Sequence, residues 1–395
     1  MKTFLKVLVA VLVIAATAVT SYIAAYLNFM SNGADLDAVS AKLTAVEECI
    51  ETYFVDDYDM GQLRSAAADG AAAAMVEATG DEWSYYLSAE DMQAHYEQLN
   101  NAYVGIGVTI QEVDEGFEVV SVTRGGPAEQ AGVQPKDILI EVEGQSVAEL
   151  GLTETQGMVR GEEGTAVALC FLRDGQRLEL TITRASIVVD VATAELLDNN
   201  IGLITIENFD YHCAEQTIAC INQMIGQGAK SLIFDVRFNP GGVKDEMVEI
   251  LDLLLPAGEV FRSVDYAGRE DVDYSDADQL KVPMVVLVNL DSYSAAEFFA
   301  AALQEYGVAQ IVGSQTYGKG NFQYTISLSD GSAVNISAGK YYTPQGKSLT
   351  GVGVTPDVAV DLSEEEYAAL YYGTLERDED DQLQAAIALL SEKNS

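Results

Sequence analysis

The rhythm of apolar and polar positions changes several times along the chain. Residues Val7 to Met30 are almost uniformly apolar; at about 1.5 Å per helical residue the run reaches roughly 36 Å, enough to cross a hydrocarbon layer of about 30 Å. From Asp35 to Leu99 apolar residues recur every three or four positions (Leu36, Val39, Leu43, Val46 and Ile50, then a run from Met60 through Val76), which predicts amphipathic helices. Beyond Ala102 the period drops to two in short runs such as AYVGIGVTI, GFEVVSV, DILIEVEG and LELTITR, separated by glycine turns, and a β-rich module is expected. From about Asp190 continuous apolar runs (IGLITIENF, KSLIFDVRF, VPMVVLVNL) alternate with amphipathic ones, the pattern of a sheet with packed helices. After Leu362 the chain is acidic and helical in pattern, and a surface helix is expected. The fold class is thus α/β multidomain, divided into 1–30 (membrane anchor or signal), 31–100 (helical region), 101–188 (β-rich domain), 189–362 (α/β core) and 363–395 (acidic helix).

Charge narrows the functions. Lys+Arg 21 against Asp+Glu 62 gives a net charge of −41, which repels phosphate backbones and argues against nucleic acid as a partner. Lys2 and Lys6 precede the apolar run, so the positive-inside rule predicts a single-pass cell-membrane protein with everything after Met30 extracytoplasmic. A cleaved signal peptide, with Ala16-Thr17-Ala18 as its cleavage site, would make the protein secreted instead. The apolar residues Tyr22, Ile23, Tyr26, Leu27 and Phe29 extend past a signal's usual core of about 7 to 15 residues and favour the anchor. His95 and His212 are the only histidines, too little material for a Ser-His-Asp triad or a multi-histidine zinc site. Cys49, Cys170, Cys213 and Cys220 lack metal-ligand spacing, and no metal or cofactor is expected.

The candidate chemistry lies in Val282 to Gln323. Ser294 stands where a strand passes into an amphipathic helix. Ser294-Ala295-Ala296-Glu297 also fits a capping box, worth about 1 kcal/mol as a helix cap alone. Both readings coexist, because a serine at a helix start has the free N–H of Ala295 beside it to receive an oxyanion. Lys319 lies at the end of the next strand. Gly313 to Lys319 satisfies the opening of a phosphate-binding loop, but Gly320 occupies the Ser/Thr position and an alternating strand follows where a helix is required. As a general base Lys319 must lose about 3 pKa units from its ordinary value, which desolvation by neighbours such as Tyr317 and Phe322 would supply; the bland alternative is a solvated turn lysine. Gly241-Gly242, after Asn239-Pro240 at another strand end, is either a tight turn or a further N–H donor to the same sheet edge.

The β-rich module resembles a PDZ domain of the bacterial type: Tyr103-Val104-Gly105-Ile106-Gly107 matches the carboxylate-binding loop, followed by PAEQAGV (127–133) and Lys136-Asp137-Ile138. Such a loop frees N–H groups for a peptide's terminal carboxylate while the peptide adds as a strand. A wider resemblance rests on Phe54-Val55-Asp56, on Gly80 to Leu87 (GDEWSYYL), on Asp235 to Gly242 (DVRFNPGG), on Ser292 to Glu297 (SYSAAE), on Thr316 to Gly320 (TYGKG) and on Tyr341 to Lys347 (YYTPQGK). Together these resemble the carboxy-terminal processing peptidases, or tail-specific proteases. The resemblance implies a crotonase-like protease core with Ser294 as nucleophile, Lys319 as general base, and Gln323 orienting the lysine. Ala295 with Gly241 or Gly242 would form the oxyanion hole. It also implies protein or peptide substrates with exposed C-terminal tails, and allows a homo-oligomer. Glu82-Trp83, Asp291-Ser292-Tyr293 and Lys347 depart from the family's usual residues, and Tyr293 is expected to reshape the site beside the serine. The competing class is a catalytically silent PDZ receptor.

Overall fold

A computed structural model describes residues 38–394. The apolar run Val7–Met30 lies outside the described residues, and among those described no helix is long and apolar enough to cross a membrane. The chain separates into two units, one ending at Thr79 and one beginning at Gly80. In the first, a helix at 38–53 is followed by Met60–Glu77, capped by the Asp59 carboxylate, which accepts from the Gly61 and Gln62 N–H groups. The helical region expected to run to residue 100 is therefore split. Residues after Gly80 belong to the second unit, where Tyr85–Leu87 forms a strand against Ala333–Asn335.

Within the second unit, the β-rich module has strands Val108–Val113, Gly116–Val122, Ile138–Val142, Ala166–Arg173 and Gln176–Thr183 in one antiparallel sheet. Its apolar face buries Ile106, Phe117, Val119, Leu139, Val142 and Phe171 beneath the helix Val147–Val159, which breaks at Gly151. A separate two-stranded ribbon, Ala102–Gly105 with Ala185–Val188, carries the chain into and out of this module. At its base the side-chain amides of Asn101 and Asn208 bond reciprocally, both at 2.9 Å.

The α/β core is a six-stranded sheet in the order Ala192–Leu197, Ile201–Ile206, Ser231–Asp235, Met284–Val288, Ala309–Gly313, Val358–Ala359. The first pair is antiparallel and the rest are parallel. Met284–Val288 is buried along its whole length, because helices cover both faces of the sheet. On one face lie Cys213–Gly226, Lys244–Leu254 and Ala295–Glu305. The other is covered by Asp381–Asn394, whose Leu383, Ala386 and Leu390 are buried against Ile201, Ile233, Val285, Leu287 and Val312. Of the expected acidic surface helix, Glu364–Tyr371 has no buried residue, whereas Asp381–Asn394 closes the core with its apolar stripe. A second sheet joins Tyr85–Leu87, Ala333–Tyr342, Gly258–Asp265 and Glu270–Ser275, with Asn321–Ser327 also paired to Ala333–Tyr342.

Parallel strands end on the same side, so the loops that leave Asp235, Val288 and Gly313 emerge together at the carboxyl edge of three adjacent strands, where open α/β sheets form their binding crevices. Those loops carry Gly241, Ser294 and Lys319.

Candidate active site

The strand Met284–Val288 leads into a loop fixed by two buried side chains. Asn289 Oδ1 accepts from the N–H groups of Phe238 (3.0 Å) and Asp291 (3.1 Å), and the Ser292 hydroxyl donates to the Val236 carbonyl at 2.7 Å. The chain then turns sharply at Ser294, whose φ of 58° and ψ of −123° lie where residues with side chains rarely sit. The turn is held by the Tyr293 N–H on the Asn239 carbonyl (3.1 Å) and by the Ser294 N–H on Glu297 Oε2 (2.9 Å). The Ser294 side chain makes no cap hydrogen bond, so the capping interaction rests on Glu297 and leaves the hydroxyl available.

Gly241 backs directly onto this turn. A Cβ there would lie 2.8 Å from Ser294 Cβ, the Ala295 nitrogen and the Tyr293 carbonyl, and its φ of 90° already excludes most side chains. Gly241→Ala should therefore displace the serine and lower kcat by about 10²-fold, the usual cost of misplacing a reacting group by an ångström. Steady-state kinetics would show it; a fully active variant would mean that the turn is not part of the site.

Glu297 binds the pieces together. Its carboxylate is fully buried and accepts four hydrogen bonds: Oε1 from the Thr316 hydroxyl (2.6 Å) and the Gly318 N–H (2.7 Å), Oε2 from the N–H groups of Lys319 (2.8 Å) and Ser294 (2.9 Å). One oxygen atom thus holds the backbones of both candidate catalytic residues. Burial pushes the Glu297 carboxyl above the ordinary carboxylate range, against the pull of these donors.

Lys319 points into an aromatic recess. Its Nζ lies 4.1 Å from the centre of the Trp83 ring and 5.9 Å from that of Tyr293, and Tyr317 packs edge-on against Trp83 at 5.5 Å. Burial lowers its amine to about 8, although Glu297, Asp81 and Glu82 all favour the charged form. Desolvation therefore comes from Trp83 and the tyrosines. Phe322, expected in that role, instead stacks on Tyr341 at 5.2 Å, since alternate residues of its strand face opposite sides. No hydrogen bond joins Lys319 Nζ to Ser294 Oγ in this arrangement.

Gln323 does not bond Lys319 either. A bulge between Phe322 and Gln323 sets Gln323 opposite Ser337, and its Nε2 donates to Ser337 Oγ (3.2 Å) and the Asn321 carbonyl (3.3 Å). Ser337 also bonds the Asp81 carboxylate, so Gln323 reaches the lysine's surroundings only through that chain. Of the two glycines, Gly241 gives its N–H to Asn239 Oδ1 at 2.8 Å, whereas Phe209 bonds the Gly241 carbonyl and the Val243 N–H on either side of Gly242 and leaves the Gly242 N–H unused. Ala295 opens the helix, and its N–H has no intrahelical partner. Behind the turn, buried Arg237 bonds Asp235 and reaches Asp380 Oδ1 (3.0 Å) and Gln382 Oε1 (3.2 Å). After Lys319 the chain continues as the strand Asn321–Ser327, the feature that sets it apart from a phosphate loop.

In the β-rich module, Tyr103, Gly105, Ile106 and Gly107 line a groove with Val108, Ile110, Leu139, Gln156, Val159 and Arg160. Val104, on the opposite face of its strand, lines a different cleft beside Ser186 and Val188.

Comparison with known proteins identifies the domains and the family. Residues 200–360 match peptidase family S41, and residues 104–183 match the PDZ domain. The carboxy-terminal processing protease CtpA of Bacillus subtilis (strain 168) is 33% identical over 339 residues, 85% of this chain and 72% of that protein. The chain belongs to peptidase family S41. A probable CtpA-like serine protease of Staphylococcus epidermidis (strain ATCC 12228 / FDA PCI 1200) is 34% identical over 81% of this chain and 66% of its own length. Among solved structures, the photosystem II D1 C-terminal processing protease aligns with a TM-score of 0.47 at 25% identity, over 85% of this chain and 91% of that one. This S41 chain is accordingly a serine-type peptidase with a PDZ domain.

Glu297 and Trp83 shape the candidate site in ways that the sequence motifs do not show. Glu297 was visible only as the third residue of a helix cap, and nothing in SYSAAE shows that its oxygens reach the loop at Gly318. Trp83 stood in a matched motif, but its place over Lys319 depends on a strand pairing across 248 positions, between Tyr86 and Val334.

Proposed function

We propose that the protein is an extracytoplasmic serine endopeptidase that captures C-terminal tails of protein substrates in its PDZ groove and cleaves them at Ser294. The observation that carries this reading is the shared Glu297 oxygen, which fixes Ser294 and Lys319 at one sheet edge. In the reaction, Lys319 Nζ swings from the Trp83 ring, takes the Ser294 hydroxyl proton, and Oγ attacks the scissile carbonyl carbon. The resulting oxyanion is received by the Ala295 N–H and by the turn at Gly241-Gly242, where Gly242 has the uncommitted N–H. Lys319 returns its proton to the departing amine, leaving an acyl-enzyme that water hydrolyses by the same proton path. Gln323 acts on the lysine's surroundings through Ser337 and Asp81. Val7 to Met30 serves as the membrane anchor, and the PDZ carboxylate site is built from the Gly105, Ile106 and Gly107 N–H groups.

Acid quenching during turnover of a loosely folded protein substrate, followed by peptide mapping, should find the acyl group on Ser294. Amidating the substrate's C-terminal carboxylate should raise KM without lowering kcat. An acyl group on another residue, or cleavage indifferent to serine-reactive fluorophosphonates, would refute this assignment.

A further inference from the structure

We propose that Trp83 is a positioning residue for the reaction, its indole ring walling the Lys319 amine off from water beside the candidate nucleophile. The inference rests on Lys319 being the general base. The ring centre lies 4.1 Å from Nζ, closer than that of Tyr293 at 5.9 Å, and the indole is held from several sides. The Trp83 carbonyl accepts from Asn335 Nδ2 at 3.2 Å, the neighbouring Ser84 hydroxyl accepts from the Ser337 N–H at 3.0 Å, and Tyr85–Leu87 pairs with Ala333–Asn335. Tyr293 and Tyr317 buttress the indole at 5.8 and 5.5 Å.

Two effects of the ring oppose each other. Its π face attracts an ammonium, which favours the charged lysine. Its bulk removes water, which favours the neutral one. The charged groups facing Nζ are Glu297 on the nucleophile's helix and Asp81 and Glu82 beside Trp83, and all three favour the ammonium. The Tyr317 hydroxyl donates to Glu82 at 3.3 Å and stays neutral at working pH. The amine nevertheless sits at about 8, so exclusion of water outweighs the three carboxylates together.

Trp83 is the only tryptophan, so its fluorescence reports the state of the amine beside it. Emission of the wild-type protein should titrate with a midpoint of about 8, and Lys319→Met should abolish that transition. Competitive acylation of Lys319, read by mass spectrometry across pH, should then place its midpoint about one unit higher in Trp83→Ala, with a smaller rise in Trp83→Phe, which keeps an apolar wall if the alanine variant folds poorly. The acid limb of kcat/KM should move with it. An acylation midpoint that stays put or falls in both variants overturns the role of Trp83, because the ring is then a packing or cation–π partner only. A Lys319→Met protein that still cleaves substrate instead overturns the general-base reading, and the inference with it; acylation, which needs no activity, tells the two failures apart.

Discussion

A Lys319→Met protein is expected to be both catalytically dead and more heat-resistant than the wild type. The loss of activity follows from the proposed chemistry: without a base the Ser294 hydroxyl is a poor nucleophile, and kcat/KM should fall by at least about 10³-fold. The gain in stability follows from burial. The amine is held at about 8 in the folded protein against an ordinary 10.5, so folding at pH 7 works against a desolvated ammonium; the displacement corresponds to about 3 kcal/mol. Between those two values the unfolded chain binds the extra proton, so wild-type stability rises with pH across that window, the cost being fully present below pH 8 and relieved above 10.5. Methionine removes the charge and keeps the stem. Thermal unfolding should therefore show a higher Tm at pH 7 and lose most of the slope between pH 8 and 10. An inactive variant with lowered Tm at pH 7 would show that Lys319 is a stabilising cation, contrary to the desolvated base described here.

Glu297→Ala should fail in the opposite way, losing activity and stability together. The change leaves three main-chain N–H groups and the Thr316 hydroxyl without the acceptor they share. At about 1–3 kcal/mol for each unsatisfied buried group, partly relieved by water in the vacated space, a loss of about 3–5 kcal/mol is expected. Because the same carboxylate holds the backbones of the proposed nucleophile and base, kcat should also drop by about 10²-fold or more. Glu297→Gln is the sharper variant. Its single oxygen can serve one pair of donors, but its NH₂ then confronts the other pair, donor against donor. Its kcat should fall while the affinity of the PDZ domain for a tail peptide, measured by isothermal titration, stays unchanged. Full activity in Glu297→Gln would mean that the clip is decorative.

What the sequence disclosed and what it hid divide along the range of the interactions. The alternation of apolar strands and amphipathic helices from Asp190 onward was enough to foresee the parallel layer, and the motifs around Ser294 and Lys319 named their residues. Both are local signals. The face on which a side chain lands is not: Val104 and Phe322 were each assigned to a site from their neighbours, yet strand pleat turns them away. Gln323 was misplaced for a related reason, since a one-residue bulge redirects it toward Ser337. The segment after Leu362 is acidic as a whole, and that bias hides the apolar stripe of Leu383, Ala386 and Leu390 that decides the place of the helix Asp381–Asn394. Trp83 and Glu297 act across chain distances that no periodicity encodes.

The brace at Arg237 gives the site a timetable. Translation proceeds from the amino end, and domains generally fold as they emerge. The PDZ module, the NPGG turn, Ser294 and Lys319 all precede Asp380 and Gln382, the last partners of the Arg237 guanidinium behind the turn. A chain synthesised only as far as the proposed nucleophile therefore already carries its PDZ groove, but the brace behind the NPGG turn lacks its last partners until residues 380 and 382 have left the ribosome.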